Sequence, residues 1–270
     1  MNLRKRFPFI LTIGAMLLAV ATLVAPCEAR ADVLKWTIDG VEREAILMAP
    51  SKGHQAAKEP LLFVFHWHGG SMTDAARSMH FESLWPEAIV VYMQGLPTKI
   101  YVDPQGAQRG WQQEPGQFGD RDLKFFDAVL GTLKSKYPVD DKRIYSTGFS
   151  NGGIFTYLLW GTRASTFAAF APVAAQIFPA VHLQEPKPLF HVAGEMDDVV
   201  PFQDQQKSIA MAREVNGSTG NGESCGKYCT SYASTKGAPV ITYIHPGGHV
   251  YPEEVSAMIV KFLKDHVNGE

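Results

Sequence analysis

Two hydrophobic rhythms run along the chain. Val33–Ile38 and Val41–Met48 alternate apolar and polar positions around Asp39-Gly40, which predicts two antiparallel edge strands joined by a tight hairpin. Leu61-Leu-Phe-Val-Phe65, Ala88–Met93, Phe167–Val173, Pro188–Ala193 and Val240–Ile244 are apolar with little alternation, the mark of strands buried on both faces. A shorter β-branched run, Ile144, Tyr145 and Thr147, reads the same way. Between these runs the spacing lengthens to that of helices. Leu123, Phe126, Val129 and Leu133 share one face of a helix that Asp120 or Asp122 would cap and that ends near Tyr137. Further helices are predicted over about Asn151–Trp160, Phe202–Val215 and Pro252–Val267. Strand and helix alternate and the strands are doubly buried. The prediction is a single α/β domain with a mostly parallel central sheet and helices on both faces.

Two connections interrupt the rhythm. Gln94–Asp120 is rich in Gly, Pro and Gln, yet carries Tyr101, Trp111 and Phe118, so it reads as an ordered loop on the substrate side. Asn216–Ala238 is Gly- and Ser-rich and reads as a second loop, holding Cys225 and Cys229.

The first residues follow a different logic. Arg4, Lys5 and Arg6 precede an apolar stretch from Phe7 to Val24, and Ala29-Arg30-Ala31 offers a small-residue cleavage site. This predicts a signal peptide over residues 1–31, a mature domain over 32–270, and export to the periplasm or beyond with no membrane anchor retained. An uncleaved anchor is the rival reading. Export would leave Cys225 and Cys229 as an even pair, which suggests a short disulfide; free thiols are the alternative, and Gly226-Lys-Tyr between them supplies no further metal ligand. Net charge is −2 and no basic run lies beyond the N-terminus, so nothing points to a nucleic-acid partner.

The chemistry centres on Gly148-Phe-Ser150-Asn-Gly152, a Gly-x-Ser-x-Gly pattern between a predicted strand and a predicted helix. A turn that sharp leaves room for no side chain two positions either side of the serine. It lifts the Ser150 hydroxyl clear of the sheet and sets the Asn151 N–H at a helix N-terminus, where a developing oxyanion would be stabilised. Asp197 and His249 follow later strands, in the order expected of a Ser–Asp–His triad. In that reading His249 is the general base and Asp197 orients it, while the Gly70 N–H, or that of Gly69, completes the oxyanion hole with Asn151. Spacing alone leaves Asp198 and Glu195 as competitors of Asp197. His66 and His68 lie two apart like a metal pair, but no third ligand is in sequence reach. Trp67, Trp111 and Tyr251 are the aromatic candidates for substrate contact.

Taken together, the strand into His68-Gly-Gly, the Gly148–Gly153 elbow, Asp197-Asp-Val-Val-Pro201 and Gly247-Gly-His249 resemble the polyhydroxybutyrate depolymerase/feruloyl esterase family of exported α/β-hydrolases. The similarity runs from about Leu61 to Pro252. It implies Ser150, Asp197 (rather than Asp198) and His249 as the triad, no metal or organic cofactor, and a small or polymer-linked ester as substrate. The chain departs from the family at Gly70, where a cysteine commonly follows His-Gly, and no polymer-binding module appended to the catalytic domain is expected. The expected activity is that of a secreted serine carboxylesterase acting through an acyl-enzyme on feruloyl, acetyl or hydroxyalkanoate esters. The alternatives are a serine peptidase on the same fold and a non-catalytic binding protein on a hydrolase scaffold.

Overall fold

Strand β3 (Glu59–Phe65) shows how the sequence builds the layers. Leu61, Phe63 and Phe65 enter one apolar cluster, and Leu62 and Val64 the other. Successive strand residues point to opposite faces, so a run buried throughout needs cover on both. The computed structural model describes Met1 and residues 30–50 and 56–269. The predicted leader lies outside the described residues but for Met1 and its last two, Arg30 and Ala31, which begin strand β1.

The chain runs β1 (Arg30–Ile38), β2 (Val41–Ala49), β3, α1 (Met72–Met79), α2 (Phe81–Leu84), β4 (Ile89–Met93), β5 (Leu96–Pro97), β6 (Arg109–Gly110), α3 (Arg121–Lys136), β7 (Val139–Phe149), α4 (Asn151–Arg163), β8 (Ala169–Val173), β9 (Leu189–Gly194), α5 (Phe202–Val215), β10 (Glu223–Gly226), β11 (Cys229–Tyr232), β12 (Val240–His245) and α6 (Val255–Lys264). Among the described residues ten strands form one sheet in the order β1-β2-β4-β3-β7-β8-β9-β12-β11-β10. From β4 to β12 the neighbours are parallel, and antiparallel hairpins extend both ends. Helices α3, α4 and α5 cover one face, and α1, α2 and α6 the other. This is the α/β-hydrolase architecture expected from the strand–helix alternation.

Three details differ from expectation. The stretch Asn216–Ala238 is not simply a loop. It contains the β10–β11 hairpin, closed by a Cys225–Cys229 disulfide and paired through β11 to β12. Gly and Ser hide this strand pair from a hydrophobic pattern because both of its faces are half-exposed or exposed. Second, Met72–Leu84 forms two helices where no element was expected. Third, Asp120 holds the N-cap position of α3, but its side chain makes no capping bond. Gln112 Oε1 accepts from the Asp122 and Leu123 N–H groups, and Asp122 is instead buried in an ion pair with Arg43 (2.8 Å).

Candidate active site

The elbow is set by close approach. A methyl group on Gly152 would lie 2.2 Å from the Phe65 carbonyl oxygen, and one on Gly148 would lie 2.5 Å from the Gly152 backbone. Only glycine permits β7, β3 and the start of α4 to meet so closely. Between them Ser150 adopts φ 56° and ψ −120°, a strained backbone that its contacts on both sides hold. Its N–H donates to the Val173 carbonyl (2.8 Å) and its carbonyl accepts from Ile154 N–H (2.9 Å).

Three loops at the carboxyl ends of β7, β9 and β12 bring the polar groups together. Ser150 Oγ lies 2.8 Å from His249 Nε2, and His249 Nδ1 lies 2.8 Å from Asp197 Oδ2. Because a carboxylate only accepts, Nδ1 carries the proton and Nε2 is left to accept from the hydroxyl. The Val199 and Val200 N–H groups donate to Asp197 Oδ1 at 3.0 and 2.9 Å. Burial opposes ionisation of Asp197, but the bonds from His249 and these amides outweigh it and hold its carboxyl below the ordinary value. Asp198 and Glu195 are exposed; Asp198 lines the cavity beside the site, and it is Asp197 that bonds His249 Nδ1. Glycine again allows the junction. A methyl on Gly194 would meet the Gly248 carbonyl at 2.4 Å, where the β9 and β12 loops cross.

Ser150 opens into a cavity of about 1050 Å³. Tyr101, Phe178 and Val199 contribute apolar wall, and Gln113, Gln117 and Gln176 add three neutral amides. Trp67 and Asn151 line it. Trp111 does not. Its indole is fully buried, stacked on Phe155 and edge-on to Phe65, with Nε1–H donated to the His66 carbonyl (2.9 Å). Its aromatic surface therefore went to the core rather than the cavity, and its backbone is clasped by both ends of the Asn151 amide (2.6 and 3.1 Å). Tyr251 is also displaced from the substrate side. It packs edge-on against Phe149 and shares a hydrogen bond with Ser256.

Gly70 is likewise corrected. Its N–H donates to the Trp67 carbonyl (3.0 Å), and the Trp67 indole covers it so closely that a methyl would lie 2.9 Å from the ring. Gly69 N–H is bonded to the Arg109 carbonyl (2.7 Å). The residues of this loop that reach the cavity are Trp67 and His68. His66 fixes them. Its Nδ1–H donates to the Trp67 carbonyl (2.7 Å), and its Nε2 accepts from Gly95 N–H (3.0 Å). Burial first of all depresses its pKa to about 4, so the ring stays neutral. His68 bonds Asp103 through Nε2 (3.1 Å), so the two histidines do not face a shared ion.

Two residues beside the site escaped the sequence reading. Phe149, the variable position before the serine, stacks on His249 with ring centroids 5.0 Å apart. Gln205, in the first turn of α5, donates Nε2–H to Asp197 Oδ2 (2.9 Å). The elbow pattern leaves Phe149 unspecified, and nothing local marks Gln205.

No protein-family model matches the chain. It is 32% identical over 167 residues to a bifunctional acetylxylan esterase/xylanase of Neocallimastix patriciarum, covering 61% of this chain and 23% of that protein. It is 30% identical over 166 residues to a probable feruloyl esterase C of Aspergillus clavatus, covering 59% and 56%. A feruloyl esterase D of Neurospora crassa is 28% identical over 185 residues, covering 66% and 59%. Over these stretches the chain is similar to feruloyl and acetylxylan esterases. The matched stretch spans less than two thirds of each of these relatives. Among solved structures, an acetyl xylan esterase from Aspergillus awamori superposes with a TM-score of 0.68 at 12% identity, covering 86% of this chain and 99% of that one. A ferulic acid esterase does so at 0.60 and 14%, covering 88% and 97%. At such identities these two share the fold. No helix among the described residues is long and apolar enough to cross a membrane.

Proposed function

We propose that this chain is an exported serine carboxylesterase, with residues 1–31 as its cleaved leader and Ser150, His249 and Asp197 as its triad. The observation that carries the reading is the continuous Ser150–His249–Asp197 chain of 2.8 Å contacts opening on one cavity. Ser150 Oγ attacks the ester carbonyl while His249 Nε2 takes its proton, and the same nitrogen returns the proton to the departing alcohol. Water then enters by the reverse steps and frees the acid from Ser150.

The oxyanion falls to the N–H groups of Asn151 and His68. Asn151 opens α4, where the helix N-terminus favours negative charge. The Trp67 carbonyl is held by His66 and by the Gly70 N–H. In a trans peptide the N–H points opposite to the carbonyl, so the His68 N–H faces the other way. This supports the cavity side as its direction. A cavity of about 1050 Å³ far exceeds an acetyl group and suits an aromatic acyl group such as feruloyl with part of its alcohol. The names of the feruloyl esterase relatives favour the same acyl group, and that of the acetylxylan esterase relative the smaller acetyl.

Hydrolysis of methyl ferulate and of p-nitrophenyl acetate, butyrate and octanoate by residues 32–270 tests this, with Ser150→Ala as control. The expected result is turnover that the substitution abolishes, with methyl ferulate preferred over the acetate. Turnover that survives Ser150→Ala refutes the nucleophile. No turnover of any ester would favour the binding-protein alternative.

A further inference from the structure

Behind Asp197 lies a file of polar side chains that the proposed reaction does not use. Tyr157 on α4, His191 on β9 and Gln205 on α5 are each 0% exposed. Burying three such groups costs free energy unless every polar atom is matched, and here they match one another. Tyr157 Oη lies 2.6 Å from His191 Nδ1, His191 Nε2 lies 3.3 Å from Gln205 Oε1, and Gln205 Nε2 reaches both Asp197 Oδ2 (2.9 Å) and the Val200 carbonyl (2.7 Å).

The proton positions follow from one end. A carboxylate and a carbonyl can only accept, so the Gln205 NH₂ faces Asp197 and Val200. Its Oε1 therefore faces His191 and requires a proton on Nε2. The buried ring is neutral, its pKa depressed by burial to about 4, so Nδ1 is bare and accepts from Tyr157. Each proton in the file is thus placed by its neighbour, and the direction ends on the oxygen that also takes His249 Nδ1–H.

We infer that Gln205, His191 and Tyr157 are positioning residues that keep the Asp197 carboxylate ionised, oriented and shared with His249. Two donors on Oδ2 and two backbone amides on Oδ1 leave the carboxylate no freedom to rotate away from the imidazole. The Gln205 bond also draws charge from Asp197 and so limits how strongly the carboxylate stabilises an imidazolium at His249. Loss of the Tyr157 hydroxyl leaves His191 Nδ1 bare in the core with its donor gone. The ring then loses the bond that holds it against Gln205 Oε1, and the Gln205 donor bond to Asp197 loosens with it. This inference rests on the proposed triad but not on which ester it cleaves.

The test is the titration of His249 followed by NMR on labelled residues 32–270, for wild type, Gln205→Leu and Tyr157→Phe, with kcat and KM on p-nitrophenyl acetate beside it. Gln205→Leu is expected to raise the His249 pKa by about one unit and lower kcat about tenfold, with KM within about twofold. Tyr157→Phe should move both in the same direction by less. A purely structural role would lower the melting temperature and leave the titration in place. An unmoved His249 in Tyr157→Phe, whatever Gln205→Leu does, overturns the inference; this variant also decides alone if Gln205→Leu does not fold. If the wild type hydrolyses no ester, the esterase reading falls while the titration still decides the role of the file.

Discussion

The ring of Phe149 lies against the imidazole of His249, their centroids 5.0 Å apart and their planes 26° from parallel. Phe149 is braced in turn, edge-on, by Trp67 at 5.9 Å and Tyr251 at 5.8 Å. The residue before the proposed nucleophile is therefore the wall that keeps the proposed base in its plane. Phe149→Ala should lower kcat on p-nitrophenyl acetate by about tenfold or more, because the imidazole gains room to leave its near-attack position. Phe149 is only half-buried, so its stability cost should fall short of the ~3–5 kcal/mol of a core phenylalanine. Steady-state kinetics and a thermal melt of the same preparation separate the two effects.

Gly110 offers a second way to damage the site from a distance. A methyl there would lie 2.6 Å from His68 Nδ1 and 2.8 Å from Asn151 Oδ1. Neither can readily retreat, since His68 is tied to Asp103 and the Asn151 amide clasps Trp111. Both proposed oxyanion donors sit on these two residues. Gly110→Ala should therefore reduce kcat by about 10²-fold, the scale of losing one oxyanion donor. A variant with near-wild-type kcat on p-nitrophenyl acetate would argue against these donors.

The ion pair of Arg43 and Asp122 is fully buried, and Arg43 also lies over the Phe125 ring, 4.2 Å from its centroid. Asp122→Ala would leave the guanidinium without its counter-charge in the core and should cost about 3–5 kcal/mol. Denaturant unfolding of the variant against wild type measures it. The pair sits below the Gln112 bond that starts α3, so the cavity wall at Gln113 should loosen as well.

Acid sensitivity follows from two buried histidines. Burial pushes both His66 and His191 to about 4, against an ordinary value of 6.5. Between those two values the unfolded chain binds protons that the folded protein refuses, so stability rises with pH in that window. Stability should be flat above about pH 6.5 and fall towards pH 4, by up to about 3 kcal/mol for each histidine. Urea midpoints at pH 7, 5.5 and 4.5 check the slope; equal midpoints would show that both rings accept a proton in place.

Much of this arrangement was legible from the chain. The doubly buried runs, the Asp39-Gly40 hairpin and the Gly148–Gly152 turn are written in local sterics: strand period, positive backbone angles and the room a missing Cβ leaves. The strand-end positions of Ser150, Asp197 and His249 follow from the same pattern, because a parallel sheet collects its carboxyl ends on one edge. What the pattern could not assign was the destination of a side chain. Trp111 reads as well for a substrate wall as for a core, and only the packing of β3 against α4 consumed it. Gly70 and His68 are two residues apart on one loop, and a single peptide orientation, set by His66, decides which faces the cavity. The β10–β11 hairpin carries no apolar stripe at all.

The layers, the elbow and the order of the groups beside it are readable from the chain, because each depends on neighbours within a few residues. What holds those groups in place comes from the folded arrangement. Gln205, His191 and Tyr157 lie on three separate elements, and Phe149 meets a histidine 100 residues away in the chain. Hydrogen bonds and ring contacts of that kind are made by residues that share a place and not a pattern, so their chemistry emerges only once the sheet has brought them together.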